Sequence, residues 1–446
     1  MTNTLLAPRS GRLFGHAAAL QREPLGFLSQ CARGYGSVVP LRLPFTPTLL
    51  LLDSEDIERV LVTDHHNFVK PIWLRTAAVR RLLGDGLVTT DGDEWRRQRR
   101  QCQNAFHPHL IPSYGDTFAK LTARMLGEWR DGQSRDVQSD MSRLTLEIVA
   151  QTMLGRDIAD RAGQIGEAMD TVMVCFAAKH RLFGLIPFPP TRREARAIQQ
   201  LDALVDRIVA DFRDEGHQGD EAPLLASLLD DPSQSEASIR EQVKTFLAAG
   251  HESSALALTW AFLMLARHPD ADDCLARELG AVLGGRAPVP SDLPNLPYTL
   301  AIVKETLRLY PPLWMIGRTT VKDCEIGGVA APGGSLILTS PWAVQRRDLY
   351  FPKPDEFVPE RWLGQEQTNL PRYAYFPFGG GPRVCIGQNF AVMEAVLLLA
   401  TIAQQFRLDA PPDQSVRPWA TMTLRPPAGN VMRLMDRNAL LRTVSA

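Results

Sequence analysis

Ten residues near the C-terminal end, Phe378-Gly-Gly-Gly-Pro-Arg-Val-Cys-Ile-Gly387, constrain this chain more than any other stretch. A single cysteine, Cys385, stands between a glycine-rich turn and an apolar run. That run, Gln388 to Phe406, carries Phe390, Val392, Met393, Val396, Leu397 and Ile402 and no proline, so it predicts a helix. Cys385 then lies at the helix start, where unpaired amides and the positive dipole end favour thiolate over thiol. Gly379, Gly380 and Gly381 lack a Cβ, so the backbone can curl beneath the sulfur and turn amides toward it. A thiolate covered on one side suits a metal ligand better than an exposed nucleophile. A lone Cys is usually a buried structural residue. Against that, Phe-x-x-Gly-x-Arg-x-Cys-x-Gly is a demanding pattern, with half of its positions fixed.

At 446 residues and 45% hydrophobic content, the chain can bury a large core. No linker, repeat or low-complexity segment divides it. One domain over residues 1–446 is expected, its N-terminal part partly irregular. A net charge of −1 argues against nucleic acid as a partner. The six cysteines, Cys31, Cys102, Cys175, Cys274, Cys324 and Cys385, form no Cys-x-x-Cys pair and no evident disulfide framework, which fits reduced thiols in the cytoplasm. Met1 to Leu20 lacks an apolar run long enough to span a bilayer, so no transmembrane anchor is expected.

Val38–Leu43 and Thr48–Leu52 read as a hairpin, and Asp53 and Ser54 as caps of the next helix. Phe68 to Thr90 is irregular. Helices are expected over Asp93–Ala105, Asp116–Trp129, Ser139–Leu154, Ile158–Lys179 and Arg192–Asp214. The apolar stretch Leu182 to Pro190 suits a cavity cap, a packing surface or a membrane contact. Ser235–Arg267 is the longest helical pattern, and its middle reads Phe246-Leu-Ala-Ala-Gly-His-Glu-Ser-Ser254. Gly250 costs such a helix about 1 kcal/mol against Ala. Two readings justify it: close helix packing, or an opening over a flat cofactor. His251-Glu252 starts no zinc motif, because Ala255 stands where the second His belongs. Another helix is expected over Tyr298–Leu309, with Glu305 and Arg308 on one face.

The cysteine stretch closely resembles the haem-binding loop of cytochromes P450, where a Cys thiolate ligates haem iron. The resemblance runs from about Gly36 to Pro427 with its motifs in family order. It implies a mainly α fold with a small β-rich region, and haem b between the Ser235–Arg267 helix and the one after Cys385. Cys385 becomes the axial ligand, with Phe378, Arg383 and Gly387 about the haem. Trp95 and Arg99 match the family's propionate-holding Trp-x-x-x-Arg, and Arg318 a second propionate arginine. Ala249, Gly250 and Glu252 match the oxygen-binding helix, where Ser253 replaces the usual Thr. Without the β-methyl its rotamer is less fixed. Glu305, Arg308 and Arg361 match a buried carboxylate flanked by two guanidiniums, read as a structural lock. Gln345-Arg-Arg-Asp348 departs from the family's His-Arg-Asp-Pro in what is expected to be a surface meander.

The implied reaction is monooxygenation: one oxygen atom of O₂ enters a lipophilic small molecule, with Glu252 and Ser253 relaying protons. No flavin or iron–sulfur segment is fused, so electrons are expected from a separate ferredoxin or flavodoxin with its reductase. Arg96, Arg97 and Arg100 form a basic run that either docks such a partner or is simply a solvated face. Peroxide-driven oxidation, rearrangement, or haem binding without turnover remain alternatives on the same fold. Substrate-facing segments implied by the resemblance are apolar: Trp73, Leu82, Leu87, Phe176, Phe183, Phe246, Leu313, Met315, Ile316 and Met422. Such walls suit a terpenoid, steroid-like or fatty-acyl substrate.

Overall fold

The structure, a computed structural model, describes residues 8–9, 11, 14–44, 46–76, 79–80, 83–179, 191–214, 222–364, 369–411, 414–427, 429 and 431–437, with 173–179 described by backbone alone. The expected Leu182–Pro190 stretch, Leu82 and Phe183 therefore lie outside the described residues, as does the Phe176 side chain.

The centre is one helix, Glu236–Arg267, of 32 residues. Ser235 caps it by accepting from the Ser238 amide at 3.1 Å, and Pro269 follows its end. Its apolar residues run almost all the way round, from Phe246 and Leu247 to Trp260 and Leu265, which is the pattern of a helix buried on every side. Gly250 decides how closely the neighbouring helix Val137–Leu154 approaches. A Cβ there would stand 3.0 Å from Cγ2 of Val149. The helix runs through Gly250, and this contact supports the packing reading of the glycine.

The helix Gln388–Gln405 shares the same core, through Met393, Val396 and Leu399. Helices Ala162–Lys179 and Arg192–Asp214 pack against each other, and the second also lies on the long helix. The predicted helices are present with ends shifted by a few residues; the one expected from Ile158 begins at Ala162. Among the described residues no helix is long and apolar enough to cross a membrane.

A five-stranded sheet has the order Val38–Leu43, Thr46–Leu51, Leu336–Thr339, Ile316–Thr320, Phe68–Val69. The first two strands form the expected antiparallel hairpin, with Val38 opposite Leu51. Phe68–Val69, in the stretch expected to be irregular, is an edge strand pairing with Thr320 and Thr319. That pairing sets Lys70, the next residue, beside the strand that carries Arg318.

Candidate active site

The glycines of the cysteine loop are explained by what surrounds them. Gly379 and Gly381 have φ of +73° and +65°, in the left-handed region that glycine enters without steric cost. A Cβ on Gly381 would stand 1.8 Å from the Leu61 carbonyl oxygen, and one on Gly380 2.3 Å from the Tyr373 ring. The loop is thus seated hard against the Arg59–Thr63 segment. The Cys385 amide donates to Phe378 O at 2.9 Å, closing the turn. The helix proper starts at Gln388 with Gly387 as its cap, so Cys385 lies just ahead of the first turn rather than in it. Burial pushes its thiol up, against the opposing pull of the Gly387 amide and Arg99. The Gly387 amide and Arg99 both act toward thiolate, in the sense expected at a helix start. Cys385 still presents accessible surface.

Arg99 reaches this loop, donating from Nη1 to Val384 O at 2.8 Å. Three more cations gather with it. Arg318 donates from Nη1 to Gly317 O, Lys70 from Nζ to Leu87 O, and Arg383 lies 4.3 Å from the Trp95 ring centroid. Asp91 receives Arg383 on one oxygen and the Lys70 amide on the other. Among the described residues no carboxylate pairs with the side chains of Lys70, Arg99 or Arg318, and Nη1 of Arg383 is buried without a hydrogen bond. Burial, reinforced by Arg383, Arg318 and Arg99, pushes Lys70 down to about 6. Burial likewise brings Arg318 and Arg383 each down to about 10.

On the long helix, Ala249 is exposed while most neighbours are buried, and Gly250 and Ser253 are partly accessible. The spacing of 249 and 253 puts both on one face. Ser253 Oγ donates to Ala249 O at 2.9 Å. Glu252 does not join it. Its side chain is buried elsewhere and takes bonds from Thr423 Oγ1 and Arg425 Nε, both at 2.9 Å. The expected relay pair is adjacent in sequence but diverges in space.

Residues 6–433 match the family described as Cytochrome P450. Cyclooctatin synthase of Streptomyces melanosporofaciens is 36% identical over 432 residues, covering 94% of this chain and 93% of its own. Pentalenene oxygenase of Streptomyces avermitilis is 34% identical, covering 97% of each. The chain belongs to the cytochrome P450 family. The crystal structure of the cytochrome P450DA heme domain overlays with a TM-score of 0.85 at 27% identity, covering 97% of this chain and 98% of that one. As a cytochrome P450 this chain is a haem-dependent oxidoreductase of the monooxygenase type.

The residues present fit that cofactor. A cluster of one buried and three half-buried cations with one carboxylate among them needs further anions, and haem propionates supply two. Charge-assisted bonds to the unpaired guanidiniums are the interactions the site lacks by itself. Lys70 and Asp91 escaped the sequence reading. Lys70 sits in an irregular stretch, and only its strand pairing shows that it meets Arg318.

The Glu305 cluster is closed. Arg308 donates from Nε and Nη2 to the two Glu305 oxygens, each at 2.8 Å, and Arg361 Nε adds a bond at 3.0 Å. The Val358 amide and Trp362 Nε1 complete the set at 2.9 and 2.8 Å. Burial alone raises the carboxyl, but Arg308, Arg361 and the Val358 amide hold it below its ordinary value. Gln345, expected on the surface, is fully buried. It bonds Leu307 O and Arg308 O and accepts from the Phe376 amide at 2.9 Å, linking this cluster to the segment ahead of the cysteine loop.

The wall candidates divide. Trp73 and Ile316 approach Gly317 and Gly379, flanking the cation cluster and the loop. Trp314 Nε1 donates to Thr421 O at 2.9 Å, which ties the Met315 and Met422 segments together. Leu87 is buried, Leu313 exposed, and Phe246 stacks on Phe106 at 5.8 Å. Arg96 and Arg97 are paired with Asp93 and Glu94, so the basic run is largely neutralised by its own helix.

Proposed function

We propose that this cytochrome P450 oxidises a terpenoid, with electrons from a separate ferredoxin or flavodoxin and its reductase. The observation that carries the substrate class is the full-length kinship with two Streptomyces enzymes named for cyclooctatin and pentalenene, both terpenoids. Apolar residues at Leu87, Met315, Ile316 and Met422 support it, because a wall with few fixed polar groups holds a ligand by buried area.

Haem b, when bound, supplies oxygen activation and transfer of one oxygen atom. The protein's part is to hold, orient and protonate. Cys385 would ligate the haem iron, presented by a loop in which Gly380 and Gly381 leave no room for a Cβ. Arg99, Arg318, Arg383 and Lys70 would hold the propionates, with Trp95 backing Arg383. Ala249, accessible on the long helix, leaves room for a small ligand, and the Ser253 hydroxyl beside it can pass a proton once it leaves the Ala249 carbonyl. Glu252 would carry protons from the solvent side.

Titration of the haem-loaded protein with terpenoid hydrocarbons, steroids and fatty acids tests this reading by optical spectroscopy. Terpenoids are expected to drive the low-to-high-spin shift at lower concentration than the other two classes. A response confined to fatty acids or steroids overturns the substrate class. In the same preparation, Cys385→Ala is expected to lose the red-shifted Soret band of the ferrous–CO complex; an unchanged band overturns the ligand.

A further inference from the structure

The helix Gly92–Gln103 begins after Asp91, which has the extended backbone of an N-cap, with φ −139° and ψ 173°. An aspartate in that place ordinarily accepts from an amide of the first turn. Asp91 makes no such bond. Its Oδ2 accepts the Lys70 amide at 2.8 Å, and its Oδ1 takes Nη2 of Arg383. The acids of the first turn, Asp93 and Glu94, are occupied by Arg96 and Arg97 of the same helix. The side chain best placed to cap this helix is therefore turned away from it, toward the cysteine loop.

Positions 91, 95 and 99 are four apart, so they form one row along the helix. Each member of the row meets the loop. Asp91 bonds Arg383, the Trp95 ring centroid lies 4.3 Å from the Arg383 guanidinium, and Arg99 Nη1 donates to Val384 O at 2.8 Å. A carboxylate on one nitrogen and a ring against the plane fix the guanidinium in direction as well as in place. What they leave over is Nη1, buried and without a hydrogen bond. The side chains of Arg383 and Asp91 are 17% and 12% exposed, so little water relieves that nitrogen. A donor left so is costly, and an acceptor on a ligand removes the cost. We propose that Asp91 is a positioning residue for haem: it forgoes its cap bond to hold Nη2 of Arg383, and so leaves Nη1 to a propionate. The same contact fastens the loop, two residues before Cys385, to the helix that supplies Arg99. The inference rests on the reading of Arg383 as a propionate holder.

Asp91→Asn and Asp91→Ser lose the charge while keeping a side chain that caps helices. Each is made alone and together with Arg383→Gln, and haem transfer from the loaded protein to apomyoglobin is timed. Arg383→Gln alone is expected to speed transfer about 10- to 100-fold. The two Asp91 variants are expected to speed it about tenfold in the parent and to add nothing in Arg383→Gln, because residues acting through one contact are not additive. Resonance Raman spectra of the loaded proteins give a second readout. The propionate bending band reports the hydrogen bonds that propionates accept, and it is expected to move in the same direction in Asp91→Asn as in Arg383→Gln. Altered helix capping alone leaves that band in place. If Arg383→Gln transfers haem at the parental rate, the reading of Arg383 as a propionate holder itself fails. If Arg383→Gln is fast while both Asp91 variants keep the parental rate and band, Arg383 stands and the role of Asp91 is overturned. Equal acceleration by Asp91→Asn in both backgrounds overturns it as well, since Asp91 then acts by a route other than Arg383.

Discussion

Two groups of charge connect to the cysteine-loop region, one through Arg99 on Val384 and one through Gln345 on Phe376, and they are built on opposite terms. Around Glu305, both carboxylate oxygens and all three Arg308 nitrogens are bonded, with Nη1 on Gln345 O and Pro354 O and Nη2 also on Glu356 O. Around Lys70, Arg99, Arg318 and Arg383, one carboxylate faces four cations. Burying an ion pair costs nearly what it returns, so a closed cluster contributes geometry more than stability. An open cluster costs stability outright until an anion arrives. The comparison separates a group that serves the fold from one that serves a ligand, without appeal to any motif.

The sharpest way to break the comparison is to open the closed cluster. Glu305→Gln leaves two buried guanidiniums facing a neutral amide, and removal of one partner of such a set costs about 3–5 kcal/mol. Urea unfolding is expected to show that loss equally in haem-free and haem-loaded protein. A loss seen only in loaded protein would move Glu305 into the ligand site.

The reverse experiment takes a cation from the open cluster. Arg318→Gln removes a half-buried charge with no carboxylate partner among the described residues, so the haem-free protein is expected to unfold at the same or higher urea concentration. Haem affinity should instead fall about 10- to 100-fold, the worth of one charge-assisted bond of about 1.5–3 kcal/mol. Haem transfer to apomyoglobin measures it. Lower stability with unchanged haem retention would make Arg318 a structural residue and erase the contrast.

Where the sequence could be read, a local rule was at work. The long helix followed from a proline-free apolar pattern capped by Ser235. The Glu305–Arg308 pair followed from three-residue spacing, and Arg361 from its own motif. Asp53 caps its helix as its position suggested, accepting from the Glu55 amide at 2.9 Å. What escaped is formed by contacts between residues far apart in the chain. Arg425 meets Glu252 across 173 positions, Arg383 meets Asp91 across 292, and Gln345 reaches Phe376 from a segment that looks like surface loop. Periodicity carries no trace of such partners.

The pH dependence of stability reads the open cluster most directly. Burial first, then Arg383, Arg318 and Arg99, push the Lys70 ammonium down to about 6. In the unfolded chain an ordinary lysine titrates near ~10.4. Between those values the unfolded chain holds a proton that the folded one has lost. Stability of the haem-free protein therefore rises with pH across that window, and the contribution is lost as pH falls through about 6. Lys70→Met removes the titrating group, so its unfolding free energy should be flatter over the same range and higher than the parent's at the acid end. Haem should flatten the parent's curve as well, because propionates beside Lys70 favour its charged form against burial and against the three arginines. Chemical denaturation of parent and variant, each with and without haem, at pH 6, 7 and 8 gives the four slopes. Parallel slopes for parent and variant without haem would take Lys70 out of the cluster and leave three arginines to hold the propionates alone.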